Sequence, residues 1–100
     1  MKDAKMYTCN TVKWFDSVNG NTYHSCRITR HSDGDVLYCP MTYGYGEHYR
    51  QTAQESMVEA GWLPGYDSKT AYRSERENHY PIEWIVSEST KRKCVANGKA

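Results

Sequence analysis

The spacing between apolar side chains changes once along this chain, near residue 42. Before that point, β-branched and aromatic residues alternate with polar ones, as in the runs 11–16 and 22–30. Beyond it, apolar residues recur every three or four positions between Glu47 and Ala60. Alternation is typical of a half-buried strand, and the longer spacing is typical of an amphipathic helix. The sequence therefore predicts a sheet followed by a helix that packs on one face of it.

Two turn signals divide the alternating part of the chain into three strands. Asn19-Gly20 follows the first strand, and Asp33-Gly34 follows the second. These dipeptides are typical of tight hairpin turns, because their residues tolerate a positive φ. We therefore expect residues 11–41 to form a three-stranded antiparallel meander.

The register of the first hairpin depends on the length of its turn. A two-residue turn would put Lys13 on the apolar face, whereas a three-residue turn with a bulge pairs Val12 with Cys26. A slip of one residue exchanges the two faces of a strand, so the hydrophobic pattern favours the bulged turn. In that register the apolar face carries Val12, Trp14, Cys26 and Ile28, and the other face carries Lys13, Arg27 and Thr29.

The predicted helix has start and stop signals. Glu47 lies in the expected first turn, where the helix dipole favours a carboxylate, and Gly61 suits a left-handed C-cap. Trp62 and Leu63 are expected to fold back onto the sheet beside the helix. The apolar stripe consists of Tyr49, Ala53, Met57 and Ala60.

The last third of the chain is less regular. A short helix over 69–77 is an option, although its apolar content is low. Alternation over 82–87 predicts a fourth strand, and 91–95 could pair back with it as a short fifth strand. A chain of 100 residues can bury one core.

The sequence therefore predicts one α+β domain over residues 1–100. It has a three-stranded antiparallel meander, one main helix on one sheet face, and a further C-terminal strand or hairpin. Residues 1–8 and 96–100 are expected to be flexible.

Charge and hydropathy exclude several classes of protein. The formal net charge is +1, whereas strong non-specific nucleic-acid binders carry a clear basic excess. Apolar runs are far shorter than the roughly 20 residues of a transmembrane helix, and the N-terminus lacks the apolar stretch of a signal peptide. We therefore expect a cytoplasmic protein that does not contact membranes.

Metal and catalytic signatures are weak. The four cysteines are expected to be reduced thiols and form no C-x-x-C pair. His24, Cys26 and Cys39 could approach one another on neighbouring strands, but buried thiols are the better interpretation. No P-loop, G-x-S-x-G or H-E-x-x-H motif is present. The sequence therefore predicts no metal, no cofactor and no enzymatic activity, with a small enzyme or nucleotide-binding protein as an alternative.

Four segments combine aromatic residues with turn residues: Val12–Asp16, Asn21–Ser25, Tyr43–Tyr49 and Ala60–Pro64. Together they resemble small uncharacterised accessory proteins of tailed bacteriophages and prophages. The resemblance covers roughly residues 9–65 and includes no catalytic motif, so no functional residue is transferred. It implies a phage origin and activity in the bacterial host cytoplasm. It also implies an accessory factor that binds and inhibits host machinery, such as a component of a defence system.

Two groups of residues are candidate binding surfaces. The first, for a host protein or protein complex, contains residue types enriched at protein interfaces, although Tyr43 or Tyr45 could instead fill the end of the core. The second combines basic and aromatic residues on the meander and could accept single-stranded nucleic acid. The protein-binding group is Tyr43, Tyr45, His48 and Arg50, and the nucleic-acid group is Lys13, Arg27, Arg30 and His31. Protein binding is the leading hypothesis and nucleic-acid binding is the alternative; the oligomeric state is not predicted.

Overall fold

A computed structural model describes residues 6–63 and 82–99 of the chain. The option of a helix over 69–77 therefore lies outside the described residues. Within them, the strands are β1 (Tyr7–Asp16), β2 (Asn21–Arg30), β3 (Val36–Tyr43) and β4 (Ile82–Glu88), and the helices are α1 (His48–Glu59) and α2 (Lys91–Asn97). None of the described helices is long and apolar enough to cross a membrane.

The strands form one mixed sheet in the order β3-β2-β1-β4. The first three strands are the antiparallel meander that the turn signals predict, so this prediction is confirmed. The predicted fourth strand is also confirmed. It lies beside β1 and parallel to it, from the pair Tyr7–Ile82 to the pair Lys13–Glu88. A parallel neighbour requires a crossover connection, and α1 lies within the chain segment that makes this connection.

The predicted register of the first hairpin is wrong. Thr11 pairs with Cys26, and Val12 pairs with Ser25, because four residues rather than three make the turn. The carboxylate of Asp16 accepts hydrogen bonds from the backbone N–H of Val18 (3.1 Å) and of Asn19 (3.3 Å). A carboxylate that satisfies donors inside the turn favours the longer loop over the bulged one.

This shift exchanges the two faces of β1. Val12 and Trp14, predicted to face the core under α1, lie on the opposite face, and Lys13 lies on the α1 side. The hydrophobic pattern gave the wrong face because Cys9 and Thr11, which are buried in place of Val12 and Trp14, are small residues. The β1 residues on the α1 face are Tyr7, Cys9, Thr11, Lys13 and Phe15.

Helix α1 covers one face of the sheet, as predicted. Tyr49, Ala53 and Met57 are buried against the sheet, whereas Ala60 is exposed at the C-cap. Glu47 is the N-cap rather than a first-turn residue, and its side chain makes no capping hydrogen bond. The burial of three of the four stripe residues confirms that this helix closes the core.

The end of α1 follows the predicted pattern. Gly61 has φ +79°, so the left-handed C-cap is confirmed. The N–H of Gly61 donates to Val58 and that of Trp62 donates to Met57, which is the hydrogen-bond pattern of a Schellman motif. The turn directs Trp62 back onto the sheet, where its ring stacks on Tyr7 with centroids 5.8 Å apart.

The predicted fifth strand over 91–95 is wrong, because these residues belong to helix α2. The side chain of Thr90 caps this helix by accepting a hydrogen bond from the N–H of Lys93 (3.2 Å). The helix packs on the face opposite α1, where the amide of Asn97 donates to the carbonyl oxygens of Asn10 (3.0 Å) and Ser25 (3.2 Å). The domain therefore has three layers where two were predicted.

Both ends of the described chain are more ordered than predicted. Tyr7 and Thr8, expected in a flexible arm, belong to β1, and Tyr7 is buried. Ala96 and Asn97, expected to be flexible, belong to α2. The segments are held by sheet pairing and by tertiary hydrogen bonds, which local sequence patterns do not reveal.

Candidate functional site

The loop 44–47, between β3 and α1, is attached to the sheet at three points. The N–H of Gly44 donates to the carbonyl of Thr22 (3.0 Å), and the Gly44 carbonyl accepts a hydrogen bond from Nδ1 of His24 (3.1 Å). Nζ of Lys13 donates to the carbonyl of Gly46 (3.2 Å). The loop therefore has a defined position relative to β1 and β2.

The two glycines of this loop are needed for different reasons. A Cβ atom at Gly44 would lie 2.7 Å from Cε1 of His24 and 2.6 Å from Cδ2 of His48, so there is no room for a side chain. Gly46 has open space around it but adopts φ +62°, which disfavours other residues. Close packing and backbone conformation thus both restrict the loop sequence.

The loop presents aromatic side chains to solvent. Tyr45 is 71% exposed and Tyr43, at the end of β3, is 54% exposed, so neither ring fills the end of the core. The ring of Tyr43 packs edge-to-face on Tyr23, which stacks on Trp14. These contacts hold Tyr43 in place, while Tyr45 extends freely from a fixed backbone.

The other two residues of the predicted protein-binding group differ in position. His48 is exposed at the start of α1, next to the loop. Arg50 is half-buried, and its guanidinium carbon lies 5.0 Å from the ring centre of Trp84 on β4. The structure therefore places His48 next to Tyr45, whose carbonyl accepts a hydrogen bond from the His48 N–H (3.2 Å). Tyr43 packs on Tyr23 on the opposite face of the sheet, and Arg50 is directed toward β4.

Sequence reasoning missed two apolar side chains at the same end of the sheet. Phe15, near the end of β1, is 58% exposed, and Val18 in the β1–β2 turn is 89% exposed. Phe15 was missed because the predicted register places it on the Lys13 face, away from the apolar residues, and only the folded chain shows its exposed ring at the same end of the sheet as Tyr43 and Tyr45. We call Phe15, Val18, Tyr43 and Tyr45 the aromatic end.

A cleft of about 480 Å³ opens beside the aromatic end. Phe15 forms an apolar wall, and Lys13 and Glu88, which are register partners on β1 and β4, supply opposite charges. The remaining lining residues are Thr22, Gly46 and Ser89. An apolar wall with a few polar groups suits the insertion of one side chain from a partner.

Exposed apolar residues concentrate at this end of the molecule. The aromatic end contains four of the eight exposed large hydrophobic side chains in the described parts of the chain. Scattered single hydrophobic residues are normal on protein surfaces, whereas a group of them marks an interaction site. The concentration therefore identifies the aromatic end as the candidate binding surface.

The residues of the predicted nucleic-acid group do not share one face. Lys13 lies on the α1 side, whereas Arg27 lies on the α2 side and donates to the carbonyl oxygens of Ala96 and Asn97. The expectation that Lys13 and Arg27 face the same way is wrong, because it depended on the incorrect register. The guanidinium of Arg27 is thus hydrogen-bonded to the C-terminal end of α2.

The other two members of that group are also engaged in local contacts. Arg30 forms an ion pair with Asp33 (2.7 Å), and this hydrogen bond lowers the pKa of the Asp33 carboxyl. Its guanidinium also lies 4.5 Å from the ring centre of Trp62. His31 contacts the hydroxyl of Thr8 through Nε2 (2.7 Å). The four residues therefore do not form a continuous basic patch.

The buried cysteines have the character of core residues. Cys26 and Cys39 are register partners, and their hydrogen bond, together with burial, raises the pKa of the Cys39 thiol. Both ring nitrogens of His24 are hydrogen-bonded, Nδ1 to the carbonyl of Gly44 and Nε2 to the hydroxyl of Thr52 (2.8 Å). Within residues 6–63 and 82–99, no three His, Cys, Asp or Glu side chains are grouped to hold a metal ion. A protonated, buried thiol is also a poor nucleophile.

Comparisons with protein-family models, with curated proteins and with solved structures found no match to this chain.

Proposed function

We propose that this chain acts by binding another protein, and that the aromatic end is the contact surface. The observation that carries this proposal is the pair Tyr43 and Tyr45, both strongly exposed beside a loop that three hydrogen bonds attach to the sheet. Tyrosine is enriched among the residues that contribute most to protein interfaces.

The attachment of the loop favours tight binding. A mobile loop loses conformational entropy when a partner orders it, and this loss subtracts from the affinity. The hydrogen bonds from Lys13 and His24 fix the loop backbone before any partner arrives. The contact surface is therefore preorganised, and more of the interaction free energy contributes to affinity.

The cleft beside Phe15 gives the surface a pocket on the α1 side of the sheet. Interfaces often depend on one side chain of the partner that enters a pocket and loses its contact with water. A cleft of about 480 Å³ is large enough for an aromatic or long aliphatic side chain. We infer that such a residue of the partner enters between Phe15 and Gly46.

The phage resemblance supports a more specific form of the proposal. Over residues 9–65, the chain resembles accessory proteins of tailed bacteriophages, and such proteins bind host machinery. The partner would then be a bacterial host protein or complex, such as a component of a defence system. Binding would take place in the host cytoplasm and inhibit that component.

A capture experiment from bacterial lysate tests this function. The purified chain is immobilised, the lysate is treated with nuclease, and the retained proteins are identified by mass spectrometry. The expected result is one enriched host protein or complex that is lost with the double variant Tyr43→Ala, Tyr45→Ala. The matched control is Tyr38→Ala, which removes an exposed tyrosine elsewhere on β3 and should leave capture unchanged.

Two outcomes would contradict the proposal. One is that the double variant retains the host protein as well as the wild-type chain does. The other is that nuclease treatment abolishes capture, which would point to a bridging nucleic acid. Circular dichroism of each variant checks that the substitutions leave the fold intact.

A further inference from the structure

The first turn of α2 carries three consecutive cations, Lys91, Arg92 and Lys93, and all three are exposed. No acidic residue lies in this turn. The backbone dipole places partial positive charge at the start of a helix, so cations there are unfavourable, and neighbouring cations also repel one another. These three charges therefore do not stabilise the helix.

Packing of α2 on the sheet does not require these charges either. Cys94 and Asn97 make the contacts with β1 and β2, and Arg27 binds the carbonyl oxygens at the end of the helix. Within residues 6–63 and 82–99, the side chains of Arg92 and Lys93 form no hydrogen bond or ion pair. Arg92 and Lys93 therefore do not hold the fold together, and their charges are available to an anionic partner.

A row of aromatic rings lies on the same face of the sheet, next to these cations. Trp14 and Tyr23 stack with ring centroids 5.4 Å apart, and Tyr23 meets Tyr43 edge-to-face at 5.9 Å. Nζ of Lys91 lies 5.6 Å from the ring centre of Trp14, so the row begins next to the first of the three cations, and Arg92 and Lys93 follow it in the same helical turn. The row crosses β1, β2 and β3 and ends at the exposed ring of Tyr43.

We propose that this basic–aromatic strip, formed by Lys91, Arg92, Lys93, Trp14, Tyr23 and Tyr43, binds single-stranded nucleic acid. The cations would contact successive phosphates, and an unpaired base would stack on Tyr43. Cationic side chains that track the backbone, next to aromatic rings that accept bases, are the shared features of single-strand binding surfaces. A duplex keeps its bases stacked inside and cannot use the rings, so the strip favours a single strand over a duplex.

This inference goes beyond the proposed function and does not rest on it. The cations belong to α2, outside the aromatic end, so their substitution separates the two activities. A small net charge of +1 is consistent with a few phosphate contacts rather than strong non-specific binding. An acidic protein segment is the competing occupant of the cations, and the test includes it.

The experiment measures fluorescence anisotropy of a labelled oligothymidylate of about 12 nucleotides as the intact chain is titrated into it. Three phosphate contacts predict a slope of about −2 in a plot of log affinity against log salt concentration. We expect Arg92→Glu to weaken binding and to reduce this slope by about one. The matched control, Lys99→Glu, makes the same charge change at an exposed site beyond the other end of α2 and should have a smaller effect.

A second variant tests the aromatic part of the strip. Tyr43→Ala should lower the affinity while leaving the salt slope unchanged, because it removes base stacking and no phosphate contact. Thermal unfolding of each variant shows whether lost binding reflects lost structure.

Several results would overturn the proposal. They are no binding at about 50 mM salt, equal effects of Arg92→Glu and Lys99→Glu, or equal affinity for a duplex of the same length. Equal competition by a polyglutamate peptide would assign the strip to an acidic protein segment instead.

Discussion

The buried ring of His24 and the backbone of Gly44 are fitted to each other in two ways. Nδ1 of His24 donates a hydrogen bond to the Gly44 carbonyl, 3.1 Å away. A Cβ atom at position 44 would meet Cε1 of the same ring at 2.7 Å. One residue of β2 thus sets both the position of the tyrosine loop and the size of the residue that the loop can contain there.

Gly44→Ala should destabilise the fold. The new methyl group would collide with two histidine rings; that of His48 is exposed and can move, but that of His24 is buried and cannot move easily. Overpacking of this kind costs about 1–3 kcal/mol in the free energy of unfolding, which urea denaturation measures.

Gly46→Ala is the comparison for Gly44→Ala in the same loop. It introduces strain at φ +62° but no collision, at a cost of about 1 kcal/mol. If Gly44→Ala proved as stable as the unmodified chain, the close packing between position 44 and His24 would not exist in solution.

The stability of the domain should decrease as the pH falls below about 6.5, the ordinary pKa of histidine. Burial lowers the pKa of His24 in the folded chain, and the neighbouring charges of His48 and Lys13 act in the same direction. The unfolded chain therefore binds a proton more readily between the two pKa values. Stability from this group is complete above the unfolded pKa and decreases below it, at up to about 1.4 kcal/mol per pH unit.

Urea denaturation between about pH 8 and pH 5 measures this effect of His24. His24→Gln should flatten the dependence, whereas His31→Gln, a substitution at an exposed histidine, should leave it in place. The same pH dependence in His24→Gln and in the unmodified chain would assign the effect to another group.

Gly98→Ala should loosen α2 from the sheet. A Cβ atom there would lie 2.6 Å from the carbonyl oxygen of Cys39 and 2.9 Å from Cα of Pro40, and backbone atoms in a strand cannot move aside. We expect a loss of about 1–3 kcal/mol in the free energy of unfolding. Cys94, a residue of α2 that is buried against the sheet, should react faster with a thiol reagent in this variant.

The substitution Ala96→Ser is a control for Gly98→Ala, because Ala96 is an exposed residue of the same helix. It should change the thiol reaction rate little. An unchanged rate in Gly98→Ala would mean that α2 does not depend on the close contact between Gly98 and β3.

The candidate surface was predictable only in part. Tyr43 and Tyr45 were identified from the sequence, because aromatic residues next to glycines, between a predicted strand and a predicted helix, are expected in a loop. Tyr45 lies in that loop, and Tyr43 is the last residue of β3. Phe15 was not identified, because a strand position is exposed or buried according to its register and neighbours. The basic–aromatic strip was also missed, since Trp14 and Lys91 are 77 positions apart along the chain and meet only in the folded protein.

The sequence by itself determined the features that depend on near neighbours. The turn dipeptides and the change of period specify the meander and α1, and Gly61 specifies where that helix turns back. These signals act over a few residues, so they operate before the chain is folded.

Tertiary structure alone decided which face of β1 is buried, where β4 pairs, and that 91–97 is helical. A seven-residue helix with three cations in its first turn has little stability of its own. It forms because Asn97 and Arg27 provide hydrogen bonds between the helix segment and the sheet. Those contacts join residues about 70 or more positions apart, and no local pattern records them.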